Sequence, residues 1–298
     1  MALPLAWALD LCFGEPRSAW HPVAWLGSLL APMGRLLLRC SAAWAFVGGA
    51  IVWLVGAAAI ALGAWALQSL LLDLSPWFGA PLLALVLKPM FAWRMLRDEV
   101  AGVEAALGAS LEAGRTQLAR IVSRDVAVLD AQGVRETAIE SLAENLNDSF
   151  VAPLFWYAVA GLPGAAVYRF ANTLDAMWGY RSRWEWAGKW SAHADDVLSW
   201  LPARLTAMLL RPTLRWRDWR RLRNEARHTP SPNGGWPMGA MALRLGARLR
   251  KPGVYALNAA APSPGAGHVE QALRHATHAA WAAVVLATLA TAARANWP

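Results

Sequence analysis

Charge is scarce in this chain. Asp, Glu, Lys and Arg make up 16% of its 298 residues, where a soluble domain carries about a quarter. The set AVILMFWYC supplies 57%, so a soluble globular domain and a disordered chain are both excluded. Cysteine is nearly absent. Cys12 and Cys40 form neither a disulfide framework nor a CxxC pair. No P-loop and no GxGxxG occurs, so no standard phosphate cradle is present. His193, His228, His268, His275 and His278 lack zinc spacing and are assigned no metal. Internal repeats, low-complexity tracts and lipidation motifs are missing as well. Met1–Trp7 has no basic region and Asp10 interrupts the apolar run, so no secretory signal is expected.

The chain is rich in tryptophan, with 19, and in long uncharged runs. Residues 40–72 hold no charged side chain over 33 positions, more than the roughly 20 residues that cross a bilayer. Probable spans cover about 44–67, 77–93 and 277–293, with Trp44, Trp65, Trp77 and Trp93 near span ends. Stretches 149–168 and 198–210 are apolar but interrupted by Pro153, Gly161, Pro163 and Gly164 in one and by Pro202 and Arg204 in the other. Such breaks at membrane depth are tolerated where they line a polar cavity or are buried in protein. The pattern predicts an all-α polytopic integral membrane protein with broken or re-entrant helices and a helical cytoplasmic loop, forming one domain over 1–298. Two short ordinary spans with a snorkelling arginine remain the alternative for the interrupted pair. Arg35 and Arg39 precede the first span and the turn at 68–76 lacks Lys and Arg, which puts 35–39 and the polar loop 94–148 in the cytoplasm. The formal charge of +8 is concentrated in 211–251, where eleven Lys and Arg face only Asp218 and Glu225.

Within the polar loop, Glu136, Glu140, Glu144 and Asp148 recur every four residues and share one helical face. No Lys or Arg sits at compensating spacing. Beside Asn145 and Asn147, this stripe would suit Mg²⁺, or it is a solvated acidic face. Ser123-Arg124-Asp125 and Asp130 add a phosphate-binding arginine and two carboxylates, or a local ion pair. Asn172 and Asp175 lie at i,i+3, followed by Gly179-Tyr180-Arg181, while Asp195 and Asp196 precede Arg204. Ionisable groups at membrane depth are functional candidates by default, and helix capping is the plainer reading for Asn172 and Asp195. Asp10, Glu15 and His21 cluster around an N-terminal turn. Ser231-Pro232-Asn233-Gly234-Gly235 is a tight turn whose amides could cradle an anion.

The blocks LDLCFGEP…HPVAWLG (9–27), SRDVAVLD (123–130), ESLAENLNDSFVAPLFW (140–156), NTLDAMWGYR (172–181), DDVLSWLPARL (195–205) and SPNGGWP (231–237) together resemble the CobD/CbiB family, adenosylcobinamide-phosphate synthases of cobalamin biosynthesis, over nearly the whole chain. The resemblance implies a cell inner membrane protein with a cytoplasmic active site. It implies ATP-dependent amide ligation, in which (R)-1-amino-2-propanol or its O-phosphate joins a corrin propionate of adenosylcobyric acid, with ATP and Mg²⁺ as cofactors. Carried over by position, Glu140, Glu144, Asn145 and Asp148 form the Mg²⁺ and phosphate group. Arg124, Arg181 and Arg204 hold phosphate or corrin carboxylate, with Asn172 and Asn233 beside them, and Asp175, Asp195, Asp196 or Glu140 is catalytic. Implied partners are the corrinoid and aminopropanol substrates, membrane lipid and other late cobalamin-pathway enzymes; no nucleic acid is expected. The arginines of 211–251 suit lipid headgroups, or ATP and the acidic corrinoid.

The chain departs from the family pattern at Glu15 (commonly Asp), Ser149 (Gly), His193 (Arg), Ser199 (Asn) and Met238 (Glu), and Ala256-Leu257-Asn258 replaces a Tyr-x-Gly ending. Met238 and His193 leave open a non-catalytic membrane sensor on the same scaffold. A transporter would call for interrupted segments in two corresponding halves, which are missing here. The topology has a direct test. In a chain with Cys12 and Cys40 replaced by serine, Ser110→Cys is expected to resist an impermeant thiol reagent in intact cells, and labelling there would invert the orientation.

Overall fold

Uncharged runs in lipid must satisfy their own backbone groups, which leaves the helix as their solution. The computed structural model describes residues 1–16, 18–179, 183–213 and 215–295. Its elements follow in chain order: α1 (Ala2–Phe13), α2 (Pro22–Leu37), α3 (Ala42–Leu72), α4 (Pro76–Leu87), α5 (Trp93–Ala109), α6 (Leu111–Leu118) and α7 (Ala131–Leu146). A π-helical turn, Asn147–Val151, leads into α8 (Ala152–Trp178), and then come α9 (Lys189–Leu210), α10 (Trp216–Ala226) and α11 (Gly235–Leu245). A small antiparallel hairpin, β1 (Leu249–Lys251) with β2 (Tyr255–Leu257), pairs Arg250 with Ala256 and precedes α12 (Ala266–Ala295). The hairpin was not foreseen in the sequence. The polar loop 94–148 is largely helical, as its periodicity predicts.

Four helical runs are long and apolar enough to cross a membrane: Ala42–Leu72, Pro76–Ala109, Ala131–Trp178 and Ala266–Arg294. Three contain the expected spans. The fourth contains the interrupted stretch 149–168, whereas 198–210 lies in α9, which is not among the four. Helix α3 presents Trp44, Ile51, Val55, Leu62, Trp65 and Leu70 outward, a surface that water would not cover at acceptable cost. The protein is an all-α polytopic membrane protein.

The chain divides into two compact units. The first comprises 1–92, 152–199 and 284–298. There α1 packs on α4, and α3 packs along α8, with Leu30, Ala57, Phe170, Leu174 and Trp178 as its buried cluster. Where lipid surrounds the helices, tight van der Waals packing and internal hydrogen bonds hold them together. Helix α8 is broken where the sequence predicts. Gly161 takes φ +72°, in the left-handed region that glycine adopts freely. The freed backbone groups are recaptured by side chains from other helices. Gln68 Oε1 accepts from Leu162 N–H at 2.7 Å, and Arg294 Nη1 donates to the carbonyls of Tyr157 (3.2 Å) and Ala158 (3.0 Å).

The N-terminal acids are part of a buried ionic network in the same unit. Lys88, following α4, bridges Asp10 (3.3 Å) and Glu15, and His21 Nε2 donates to Glu15 at 2.6 Å. Val23 N–H donates to His21 Nδ1 at 3.2 Å, so His21 caps α2 and carries its proton on Nε2. Asp10 and Lys88 are buried. Burial pushes the Glu15 carboxyl up, but the hydrogen bonds of His21 and Lys88 and the Lys88 charge outweigh it and hold it below its ordinary value.

The second unit comprises 93–151 and 200–283. Helices α5, α6 and α7 pack together, α11 lies against α7 and α10, and β1 against α7. Val100, Val103, Leu118, Val134, Ile139, Leu142 and Leu146 form its apolar interior.

Two outcomes check this architecture. Gln68→Leu leaves a buried amide unpaired and is expected to cost about 1–3 kcal/mol, read as a lower melting temperature in detergent; an unchanged melt would refute the capping role. Lys88→Met removes the cation that bridges buried Asp10 and half-buried Glu15 and is expected to cost about 3–5 kcal/mol. The stability contributed by Glu15 is present above its ordinary pKa of 4.5 and is lost as pH falls through its depressed folded value. Glu15→Gln should therefore flatten the acid limb of a melting-temperature profile.

Candidate functional site

Helix α7 begins where Asp130 Oδ1 accepts from Gly133 N–H at 2.7 Å, an N-cap. Its acidic stripe is not uncompensated: the cations come from elsewhere in the sequence. Glu136 is fully buried and receives Arg248 Nε (3.1 Å) on one oxygen and Arg250 Nε (3.2 Å) on the other. Glu140, also buried, accepts from Arg124 Nη2 at 3.1 Å, and Arg124 Nη1 donates to Thr137 Oγ1 at 3.3 Å. A solvated acidic face is thereby overturned, because burial in these helical surroundings requires paired charges. Asp125 and Asp130 are local caps: Asp125 Oδ1 accepts from Ala127 N–H at 2.9 Å.

Glu144 lies one turn beyond Glu140, and Arg124 and Lys251 are the cations that act on it. Tyr255 from β2 faces both carboxylates; burial, then the two negative charges, push its hydroxyl well above its ordinary value, so it stays protonated. That hydroxyl is directed at Met238 Sδ, 3.7 Å away. The Tyr255 hydroxyl also acts on Glu140 as a hydrogen-bond donor. Arg124, Glu140, Glu144, Lys251 and Tyr255 thus converge from three separate stretches of the second unit. Lys251, Tyr255, Arg248 and Arg250 were missed as site residues, since no spacing in the sequence links the hairpin to α7.

Asn145 donates to the Ser141 carbonyl (3.0 Å) and Oγ (3.2 Å) of its own helix. Asp148 lies in the π-helical turn and accepts from Asn147 Nδ2 at 2.7 Å, while Thr206 donates to Asn147 Oδ1 at 3.0 Å. Among the described residues, no group of three or more His, Cys, Asp or Glu is placed to hold a metal ion. The trio Glu140, Glu144 and Asp148 is therefore not a protein cage for Mg²⁺. Glu140 and Glu144, one turn apart on α7, fit the looser mode, in which one or two carboxylates share the ion with phosphate oxygens.

Arg204 binds the SPN turn. Nη1 donates to Asn233 Oδ1 (2.7 Å) and the Trp200 carbonyl (2.7 Å), and Nη2 to the Pro232 carbonyl (3.1 Å). The turn's amides are not open to an anion, because Ser231 Oγ accepts from Asn233 N–H (3.2 Å) and Gly234 N–H (3.0 Å). Gly234 also passes close to the acidic helix: a Cβ there would stand 3.1 Å from Glu144 Oε1. Glycine is the residue that permits this approach.

In the first unit, Asn172 Nδ2 donates to Asp195 Oδ1 at 3.3 Å, joining α8 to α9. Asp196 points elsewhere, as the helical 100° step requires. Burial raises its pKa, while the charge of His193 opposes the rise. Asp196 also acts electrostatically on Asp175. Tyr168 and Ser199, both buried, share a 3.0 Å hydrogen bond. Arg181 lies outside the described residues. Asn172, Asp175, Asp195 and Asp196 thus belong to the first unit, and Arg124, Glu140, Glu144 and Arg204 to the second.

Comparison with known proteins shows the family of the chain. The family model described as CobD/Cbib protein matches residues 3–286. A cobalamin biosynthesis protein CobD of Rhodobacter capsulatus is 39% identical over 282 residues, covering 87% of each chain. Probable cobalamin biosynthesis proteins CobD of Thermococcus kodakarensis and Methanothermobacter thermautotrophicus are 39% and 38% identical. The former covers 97% of this chain and 95% of its own, the latter 86% and 85%. No solved structure matches. The chain belongs to the CobD/CbiB family of cobalamin biosynthesis proteins.

Proposed function

We propose that this protein is the amide-forming ligase of its family, joining (R)-1-amino-2-propanol or its O-phosphate to a propionate of adenosylcobyric acid at the expense of ATP. The observation that carries the reading is the convergence on Glu140: a buried carboxylate beside Glu144, met by Arg124 and the Tyr255 hydroxyl, with Lys251 acting on its neighbour. A structural ion pair would need no second carboxylate there. A phosphate-transfer site needs both signs of charge, in a place that water reaches poorly.

A carboxylate is a poor acyl donor because its leaving group would be oxide. Phosphorylation converts that oxygen into a phosphate leaving group, and the amine then displaces it to form the amide. Arg124 suits bidentate phosphate recognition through its planar guanidinium, and Lys251 contributes a mobile point charge. Glu140 and Glu144 would hold Mg²⁺. Bound there, the ion supplies neutralisation of phosphate charge. Tyr255, kept protonated by its surroundings, has a hydroxyl to donate to an acceptor oxygen. In the first unit Asp175 and Asp196 bring two like charges together. That environment favours a cation, and the amine substrate arrives as an ammonium that must lose a proton before attack. Asp195, held by Asn172, positions α9.

The remaining assignments of the family reading are a cell inner membrane location, a cytoplasmic active site, and corrinoid, lipid and late-pathway enzymes as partners. They rest on the resemblance, together with the four helices long enough to span a membrane.

Complementation tests the reading. A strain lacking this ligase, fed adenosylcobyric acid, is expected to recover B12-dependent growth when it expresses the chain, and failure with well-inserted protein would sink the enzyme. Glu144→Gln is expected to lower the turnover of purified protein by about 100-fold or more and to abolish growth without reducing the amount in the membrane. Growth of that variant at the wild-type rate would remove Glu144 from the chemistry.

A further inference from the structure

A second polar feature of the second unit is a cleft of about 640 Å³ walled by tryptophan and arginine, within the size range of small-molecule sites. Its floor is a stacked ladder. The Arg204 guanidinium lies 4.5 Å from the Trp200 ring and 4.7 Å from the Trp236 ring, and Trp219 stands 5.1 Å from Trp236 at 37°. The wall is a single stripe of α10, because Trp219, Arg223 and Arg227 recur every four residues. Leu222 and Ala226 bury the neighbouring stripe.

Among the described residues, no carboxylate lines the cleft. The two acids of α10 are engaged elsewhere. Asp218 accepts from Thr213 Oγ1 (2.9 Å) and pairs with Arg211 (3.5 Å), and Glu225 accepts from Asn258 N–H (2.8 Å) and faces His228 (3.5 Å). Arg223 and Arg227 are exposed, and their charge is uncancelled within the cleft.

The ligand that matches this chemistry has a flat aromatic part for the indoles and several negative charges for the guanidiniums. Lipid headgroups offer the charge but no planar ring. Behind the floor of the cleft, the SPN turn packs against the helix that bears the carboxylates. Arg204 grips the SPN turn at Pro232 and Asn233, and the next residue, Gly234, lies against Glu144.

We infer that the Trp200–Arg204–Trp236–Trp219 ladder, with Arg223 and Arg227, binds a purine nucleoside triphosphate. The base stacks on the indoles, of which Trp200 is exposed and Trp219 and Trp236 half-buried, and the phosphates face Arg223 and Arg227. Arg204 is a positioning residue, since its donors already hold the turn. The inference rests on the ATP-dependent reading above and names the site that reading leaves unassigned. It also explains how a nucleotide is held by a chain with no phosphate-loop motif.

The test is equilibrium dialysis of labelled ATP with Mg²⁺ against the full chain in lipid nanodiscs. Wild type should bind one ATP per chain. Trp219→Leu, and separately Arg223→Ser with Arg227→Ser, should each weaken binding about tenfold or more, with Trp219→Phe restoring most of it. The last comparison separates stacking from simple misfolding. Inorganic triphosphate should lose affinity in the arginine variant but not in Trp219→Leu. Unchanged ATP affinity in both variants would overturn the site while leaving the ligase reading intact. So would a loss confined to vesicles containing phosphatidylglycerol, which would assign the stripe to lipid. If wild type makes the amide without binding ATP, the ATP-dependent reading falls and this inference with it.

Discussion

Two carboxylates on one helix, Glu136 and Glu140, are almost completely withdrawn from solvent, and each must be met by a cation from elsewhere in the chain. An unmatched buried charge would cost more than the packing around it contributes. Glu136 therefore fixes β1 against α7, because Arg248 and Arg250 on one short hairpin each reach one of its oxygens. Glu140 fixes the segment before α7 in the same way, through Arg124. Once these pairs are made, the position of Tyr255 and Lys251 over Glu140 and Glu144 follows from the hairpin register. The scaffold and the candidate chemical site of the second unit are thus held by the same ionic contacts.

The membrane helices were legible from composition alone, since an uncharged run of such length has few other fates. The break in α8 was legible too, because glycine and proline mark it in the chain. What sequence could not show was the partner of each polar group. The carboxylates at four-residue spacing looked uncompensated because helical periodicity sees neighbours three and four positions away. Arg248 lies 112 positions from Glu136. The SPN turn looked open to anions because the Ser231 hydroxyl's use of its amides depends on a rotamer. The Asp10–Lys88–Glu15–His21 network was half visible as a cluster of acids and a histidine, but Lys88 belongs to a different helix in the sequence.

The departures from the family pattern make physical sense in several places. Asn258 takes φ +48°, where the pattern has glycine, and asparagine is among the side chains that tolerate that region. Its side chain donates to the Ala242 and Ala247 carbonyls and accepts from Arg221, so the substitution adds local contacts. Met238 is buried beneath the Tyr255 hydroxyl, where a sulfur accepts weakly. His193 replaces a permanent cation near Asp196 with a titratable one.

The break at Gly161 has a further meaning when it is considered across the family. Three residues far apart in the chain, Gln68, Gly161 and Arg294, solve one local problem: how a helix ends and restarts in surroundings without water. An alanine at 161 would be strained by the positive φ and would displace the Gln68 amide, and the loss of either cap leaves backbone groups orphaned. Selection must therefore act on the trio as one heritable character. Relatives that straighten the helix should have lost the glutamine and the arginine together, and those that keep the glycine should keep both or have exchanged them for other donors and acceptors in step.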